Sequence, residues 1–111
     1  MAIYHKNLIA SGKWFALSFC EQMGNIGSEV GRAIKSHKMN DTENRNLAIE
    51  RALELFDLTA NDERWKTRLK EILRAREVFC DVFFGKNSYN VPLEKLEEYF
   101  MEFAVAARIN R

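Results

Sequence analysis

The sequence has little of what an all-β protein or a small disulfide-rich domain needs. Its 111 residues include five glycines, one proline and two cysteines. An all-β chain requires a turn about every ten residues, and Gly and Pro make most turns. Cys20 and Cys80 are also too few for a structural zinc site with four ligands. Both fall at apolar positions, so we expect buried free thiols, with a disulfide as the alternative.

Long apolar runs and an excess of one charge are also missing. No stretch approaches the roughly 20 apolar residues of a membrane-spanning helix. The N-terminal residues have neither the continuous apolar core nor the cleavage site of a secretory signal. With 17 basic and 16 acidic side chains, the net charge of +1 gives no overall attraction to nucleic acid or acidic membranes. We expect a cytoplasmic protein with no membrane partner.

The abundant residues predict one all-α domain spanning 1–111. Leu, Ala, Glu, Arg and Lys are strong helix formers, and 47% hydrophobic residues can supply a core. Apolar residues recur every three or four positions, which predicts helices at about 18–36, 42–58, 62–84 and 92–108 after an N-terminal arm, 1–17. Short connections favour antiparallel neighbours. The predicted fold is an antiparallel up-down four-helix bundle with a short N-terminal arm.

Local signals mark several helix ends. Ser18 and Glu21 have the spacing of a capping box, in which each side chain accepts a hydrogen bond from the other residue's backbone N–H. Gly85 follows the third predicted helix at the position that glycine usually takes after a C-terminus. Pro92 suits the first position of the fourth.

Three glycines inside the first predicted helix, Gly24, Gly27 and Gly31, indicate a small-residue surface. Each costs about 1 kcal/mol relative to alanine, so we expect close approach of a neighbouring helix or chain. A phosphate-binding loop is disfavoured because no strand precedes the glycines and no Lys-Ser/Thr pair follows them. Trp14 and Phe15 add aromatic surface in the arm. We predict a homo-oligomer with these five residues as interface candidates.

The sequence predicts no metal site, no cofactor and no covalent catalyst. Neither His5 nor His37 has the glutamate three positions earlier that di-iron helical bundles use. Cys20 and Cys80 lie at apolar positions, whereas a reactive thiol needs a positive, partly exposed environment. Ser36 is the one serine next to a histidine, His37, but adjacent residues on a helix point apart. We therefore predict a protein that is not an enzyme.

Arg32 and His37 form the one pair that suggests catalysis. Their spacing resembles the Arg-(four to six residues)-His motif of the HEPN ribonucleases, small helical bundles that join an arginine and a histidine at a dimer cleft. There the arginine would stabilise a phosphorane and the histidine would move a proton. Ala33 stands where that family usually has a polar residue. A solvated helix end is the favoured interpretation, and the ribonuclease is the runner-up.

Charge is distributed unevenly along the chain. Residues 62–76 contain six basic and three acidic side chains, whereas the last predicted helix is acidic. Lys66, Lys70 and Arg74 are spaced by four and would share one helical face, which predicts a nucleic-acid-binding surface. The alternative is that these charges pair with neighbouring acidic helices, within one chain or between subunits.

Near Arg76, the third predicted helix has an apolar stripe that consists of Trp65, Leu69, Ile72, Leu73, Phe79, Cys80 and Phe83. A buried arginine needs a partner, so we expect Arg76 to reach a carboxylate such as Glu54 or Glu29.

The segment Asn25-Ile-Gly-Ser-Glu-Val-Gly-Arg32 resembles a segment of the four-helix-bundle proteins encoded in ribosomal-RNA intervening sequences. Their relatives include the accessory variability determinant proteins of diversity-generating retroelements. These families often have Asn-Ile-Ala-Glu-Gly-x-Gly-Arg, which Asn25, Ile26, Gly31 and Arg32 match. The resemblance covers about a third of the chain. A proline that precedes the family's motif is missing here. The retroelement proteins are strongly basic, whereas this chain has a net charge of +1.

The resemblance implies a bundle that assembles into a ring-like oligomer and works by binding, to nucleic acid or to a reverse transcriptase. It assigns no functional residues. The sequence as a whole predicts a non-enzymatic oligomeric interaction module, an accessory protein of the nucleic-acid or reverse-transcriptase type. Two alternatives stay open: a HEPN-like ribonuclease using Arg32 and His37, and a purely structural bundle that assembles with itself.

Overall fold

The computed structural model describes residues 4–109, which are all-helical and contain no strand. The elements in chain order are α1 (Lys6–Ser11), a 3-10 helix (Trp14–Ala16), α2 (Phe19–Lys38), α3 (Thr42–Ala60), a second 3-10 helix (Glu63–Arg68), α4 (Leu69–Phe84) and α5 (Leu93–Ile109). The all-α class predicted from composition is confirmed. Residues 1–3 of the predicted arm lie outside the described residues.

The start of α2 follows the capping-box prediction. The Ser18 hydroxyl accepts a hydrogen bond from the backbone N–H of Glu21 at 3.1 Å, and the Glu21 carboxylate accepts one from the backbone N–H of Ser18 at 3.0 Å. These bonds satisfy two of the donors that every helix N-terminus leaves unpaired. The capping box is confirmed.

The predicted single helix 62–84 is divided in two in the structure. A 3-10 helix occupies its first turns, and Trp65 within it has the non-helical angles φ −105° and ψ 22°. The Asp62 carboxylate accepts a hydrogen bond from the backbone N–H of Arg64, which starts the segment. The bend turns the Trp65 indole inward, where its Nε1 donates to the side chain of Gln22 at 2.8 Å. The α-helix therefore begins only at Leu69.

Helix α2 lies at the centre, with α3 and α5 both packed against it. Gln22 near its start bonds to Asp62, which follows α3, while His37 near its end lies beside Arg45 in the first turns of α3. The two helices therefore run in opposite directions. Helix α5 also opposes α2, since Gly24 faces Ala104 whereas Lys38 lies 3.8 Å from Glu94.

Four large aromatic side chains fill the core. They are Trp14, Phe56, Phe79 and Phe100, each at most 2% exposed. Phe56 of α3 touches both Phe79 of α4 and Phe100 of α5, with ring centroids 5.8 and 6.0 Å apart. Helices from three parts of the chain thus share one core. Across residues 4–109, no helix has the length and apolar character needed to cross a membrane.

Candidate interaction surfaces

The glycines of α2 lie against α5 of the same chain. A Cβ at Gly27 would stand 2.6 Å from the Cβ of Phe100, and one at Gly24 would stand 3.2 Å from the Cα of Ala104. A Cβ at Gly31 would meet only the Glu97 carboxylate, at 3.8 Å. The expected close approach of a neighbouring helix therefore occurs within one chain. The oligomer interface predicted for these glycines would have to form where α5 already lies.

The two aromatic residues of the arm have different environments. Trp14 is 1% exposed, and its indole Nε1 donates to the Thr59 hydroxyl at 3.2 Å. Phe15 is 38% exposed. Of these two interface candidates, Trp14 is already covered by its own chain, and only Phe15 is accessible to a partner.

A buried polar network joins the arm, α2 and the second 3-10 helix. Gln22 is fully buried, and its Nε2 donates to the Trp14 carbonyl at 2.8 Å and to Asp62 at 3.0 Å. Its Oε1 accepts from the Trp65 indole. Sequence reasoning missed this residue. The available signal was a polar side chain on the same helical stripe as Phe19 and the other core positions of α2.

Asp62 is the charged member of this network and is 5% exposed. Arg64 donates to both of its carboxylate oxygens, at 3.0 and 2.7 Å. These hydrogen bonds lower the pKa of Asp62, and the bond from Gln22 adds to the effect, while burial acts in the opposite direction. The carboxylate is therefore held in its ionised form, and Arg64 also donates to the Leu17 carbonyl at 2.7 Å.

A second polar cluster fastens the start of the described chain to α3. Glu54 accepts hydrogen bonds from the backbone N–H groups of Tyr4 and His5, at 3.1 and 2.7 Å, and lies 2.6 Å from the His5 ring. The Tyr4 hydroxyl donates to Glu50. Burial would raise the pKa of Glu54, but these hydrogen bonds outweigh it and lower the pKa. The cluster holds Tyr4 and His5 against α3.

Arg32 and His37 lie in different surroundings. Arg32 donates to the buried Glu29 at 2.9 Å, and the same carboxylate also accepts from Arg51 at 3.0 Å. The His37 ring is exposed and lies edge-on to Phe83 with centroids 5.9 Å apart. Five positions on a helix separate two side chains by about 140° around its axis. HEPN sites combine residues of two chains, so the separation of Arg32 and His37 within one chain leaves the ribonuclease as a prediction.

The three candidate nucleic-acid-binding residues do not share one helical face. Lys66 lies in the 3-10 helix, where its Nζ is 2.7 Å from the exposed Glu63 carboxylate. Because α4 begins at Leu69, only Lys70 and Arg74 have the α-helical spacing of four. Within residues 4–109 neither has an ion-pair partner. The Arg74 guanidinium stands 4.4 Å above the Tyr89 ring.

The other basic residues of 62–76 have carboxylate partners. Arg64 pairs with Asp62, and Arg68 pairs with Glu71 at 3.2 Å while stacking on the Phe19 ring. Arg76 pairs with Asp57 at 3.1 Å. The expectation that Arg76 reaches a carboxylate is confirmed, but the partner is Asp57 rather than Glu54 or Glu29. In this segment, Lys70 and Arg74 are the two cations without a carboxylate.

Apolar side chains accompany these two cations. Leu69 and Leu73, one turn apart, are 37% and 47% exposed, although periodicity assigns both to the core stripe. The buried side of α4 is instead formed by Ile72, Ala75 and Phe79. We call Leu69, Lys70, Leu73 and Arg74 the α4 face. It combines exposed apolar surface with positive charge.

The outward side of helix α5 has the opposite charge. We call the residues of this side the α5 face: Glu94, Glu97, Glu98, Met101, Glu102 and Val105. Met101 and Val105 are 53% and 40% exposed. Glu94 and Glu98 have exposed lysine neighbours at 3.8 and 3.4 Å. Glu97 and Glu102 have no ion-pair partner among residues 4–109.

A cavity of about 260 Å³ separates the inner parts of α4 and α5. Its lining includes Arg74, Ala75, Val78, Leu96 and Tyr99. Burial raises the pKa of Tyr99 to about 12, and the neighbouring Glu71 acts in the same direction. The Tyr99 hydroxyl therefore stays protonated at neutral pH and contributes no charge.

The cysteines of the described chain are free thiols, and its acidic residues form no metal-binding group. Cys20 and Cys80 are both free and half-buried. Burial raises the pKa of the Cys80 thiol, which disfavours the nucleophilic thiolate. Within residues 4–109, no group of three or more His, Cys, Asp or Glu side chains could hold a metal ion.

The candidate interaction surfaces are therefore the α4 face and the α5 face, both charged and partly apolar. The polar clusters around Gln22 and Glu54 are structural. The resemblance to the intervening-sequence and retroelement families rests on the segment 25–32, and it stays a prediction. Comparison with protein-family models, with curated proteins and with solved structures found no match to this chain.

Proposed function

We propose that this chain is a non-enzymatic interaction module that acts as a homo-oligomer. We further propose the arrangement of an antiparallel up-down four-helix bundle, formed by α2, α3, α4 and α5, with α1 and the first 3-10 helix as its arm. The opposite directions of α2 and α3, and of α2 and α5, support this arrangement.

One observation carries the functional proposal: exposed apolar side chains occur as pairs one turn apart on outward helix faces. Single exposed apolar residues are ordinary on a protein surface. Leu69 with Leu73, and Met101 with Val105, instead form short apolar stripes bordered by charge. An apolar stripe with a charged border is the usual composition of a protein-binding helix face. Association would remove these stripes from water.

The test is the mass of the protein at tens of micromolar, measured by light scattering and sedimentation equilibrium. A multiple of the 13.0 kDa chain mass is expected. Leu73→Ser combined with Met101→Ser should weaken association. Met39→Ser is the matched control, because Met39 is 67% exposed but lies at the end of α2, off both faces. A 13.0 kDa species for the unmodified chain at every concentration would refute the proposal.

A second candidate function is binding to the phosphates of nucleic acid, as in an accessory protein of a nucleic-acid or reverse-transcriptase machine. The observation that favours it is that Lys70 and Arg74 have no carboxylate partner among the described residues. Two phosphate contacts on duplex would make log affinity fall with log salt at a slope of about −1.8, and Lys66 as a third contact would steepen it to about −2.7.

Salt titration against single- and double-stranded probes tests this candidate. Lys70→Gln should reduce the slope by about 0.9. Lys13→Gln removes an exposed cation from the arm and serves as the control. No measurable binding at about 50 mM salt would reject nucleic-acid binding. If self-association persists in that case, the purely structural bundle is the alternative that stands.

A further inference from the structure

We infer that copies of this chain associate through unlike faces, with the α4 face of one copy packed on the α5 face of another. The inference rests on the proposed self-association and names the surfaces through which it occurs. Both faces belong to long α-helices, so their contact would be a helix-on-helix packing like those inside the chain.

The apolar parts of the two faces match in spacing. Leu69 and Leu73 are four residues apart on α4, as are Met101 and Val105 on α5, so each pair projects from one side of its helix. Two stripes of this length can interdigitate along about one helical turn each. Met101 is unbranched and adapts its shape to an opposing leucine.

Charge then selects which face meets which. The α4 face has Lys70 and Arg74, while the α5 face has Glu97 and Glu102, and none of these four has an ion-pair partner within residues 4–109. An α4–α4 contact would bring cations together, and an α5–α5 contact would bring carboxylates together. Like charges across an interface are strongly unfavourable. The contact between α4 and α5 is the one that pairs opposite charges.

Neighbouring charges restrict the contact to the first half of α4. Glu77, one turn beyond Leu73, accepts a hydrogen bond from the Tyr89 hydroxyl at 2.6 Å and would repel an acidic partner. On α5, Lys95 is already paired with Glu98. Tyr89 stacks against Arg74 and so limits the motion of its guanidinium. A guanidinium held in this way can bind a carboxylate through two hydrogen bonds.

Each chain has both faces, so a single α4–α5 contact between two copies leaves one α4 face and one α5 face free. Where only one contact forms between two copies, further copies add until the rotation between neighbours closes the assembly, or they continue as a filament. A two-fold dimer can also pair both faces with opposite charges, provided that the α4 face of each copy meets the α5 face of the other at the same time.

A charge-exchange experiment on the full chain tests the inference. One variant carries Lys70→Glu and Arg74→Glu, and a second carries Glu97→Lys and Glu102→Lys. Each alone has two faces of the same sign, and its dissociation constant should rise roughly 100-fold or more relative to the unmodified chain. An equimolar mixture of the two should assemble again, because each variant then offers the charge that the other lacks.

Controls separate this inference from the broader proposal. Glu43→Lys with Lys13→Glu changes two exposed charges off both faces and should leave assembly unchanged. Circular dichroism verifies that each variant is folded. An oligomer that neither charge variant weakens would overturn the inference but leave self-association standing, whereas a monomeric unmodified chain removes both. Loss of nucleic-acid binding by the α4 variant, without loss of assembly, would assign that face to nucleic acid and overturn the inference.

Discussion

The contact between α2 and α5 permits a paired test of the same substitution at two glycines. Replacing a helical glycine by alanine stabilises a helix by about 1 kcal/mol when the new methyl group meets no obstacle. At Gly31 the methyl group would lie 3.8 Å from the Glu97 carboxylate, which is an ordinary contact. Gly31→Ala should therefore raise the free energy of unfolding by about 0.5–1 kcal/mol.

At Gly27 the same methyl group would lie 2.6 Å from the Cβ of Phe100. Carbon atoms in contact are about 3.5–4.0 Å apart, so the helices would have to separate by about 1 Å. Rotation of the Phe100 ring cannot help, because the Cβ position is fixed by the backbone. Overpacking of this kind costs about 1–3 kcal/mol. After the gain in helix propensity, Gly27→Ala should lower the free energy of unfolding by about 0–2 kcal/mol.

Urea unfolding of the two variants, followed by helical circular dichroism and by tryptophan fluorescence, measures the difference. We expect Gly31→Ala to exceed Gly27→Ala by about 1–3 kcal/mol, or roughly 4–12 °C in Tm. Gly24→Ala, with the Ala104 Cα at 3.2 Å, should fall between them. A Gly27→Ala variant as stable as Gly31→Ala would show that α5 does not approach α2 as described.

Three further predictions concern the buried polar network and the Arg32–His37 pair. Gln22→Leu should lower the free energy of unfolding by about 2–4 kcal/mol in urea titrations, because it leaves the Trp65 indole and its other partners without their hydrogen bonds. The pKa of Asp62 is lowered by folding, so its stabilisation is present above the unfolded pKa of about 3.9 and is lost as pH falls through the lower folded value. The stability difference between the unmodified chain and Asp62→Asn should therefore shrink towards pH 2, and a difference that grows in acid would contradict this sign. RNA incubated with the unmodified chain should stay intact, and cleavage that disappears in both Arg32→Ala and His37→Ala would establish the ribonuclease instead.

The features that sequence reasoning found were the local ones. Ser18 and Glu21 determine the start of α2 by themselves, because a capping box involves residues three positions apart. The core positions Ile72 and Phe79 follow from periodicity alone, since they recur at helical spacing. Such signals need no knowledge of the rest of the fold.

The features that it missed depend on distant partners. Trp65 interrupts the predicted helix 62–84 because its indole bonds to Gln22, which is 43 positions away in the chain. That interruption separates Lys66 from the face that Lys70 and Arg74 share. Periodicity also could not show that Leu69 lies outside the core, because an apolar stripe does not reveal which of its edges meets another helix.

The location of an oligomer interface follows from which helix surfaces the fold already uses. Helix α2 packs against both α3 and α5, and its glycines bring α5 too close for even a methyl group at Gly27. A second chain could reach that surface only by displacing α5, which would expose Phe100 and the core behind it. Helices α4 and α5 have exposed outward sides, and a cavity of about 260 Å³ lies between them. Because their outward sides keep the exposed leucines, Met101 and unpaired charges, self-association is expected there rather than at the glycines of α2.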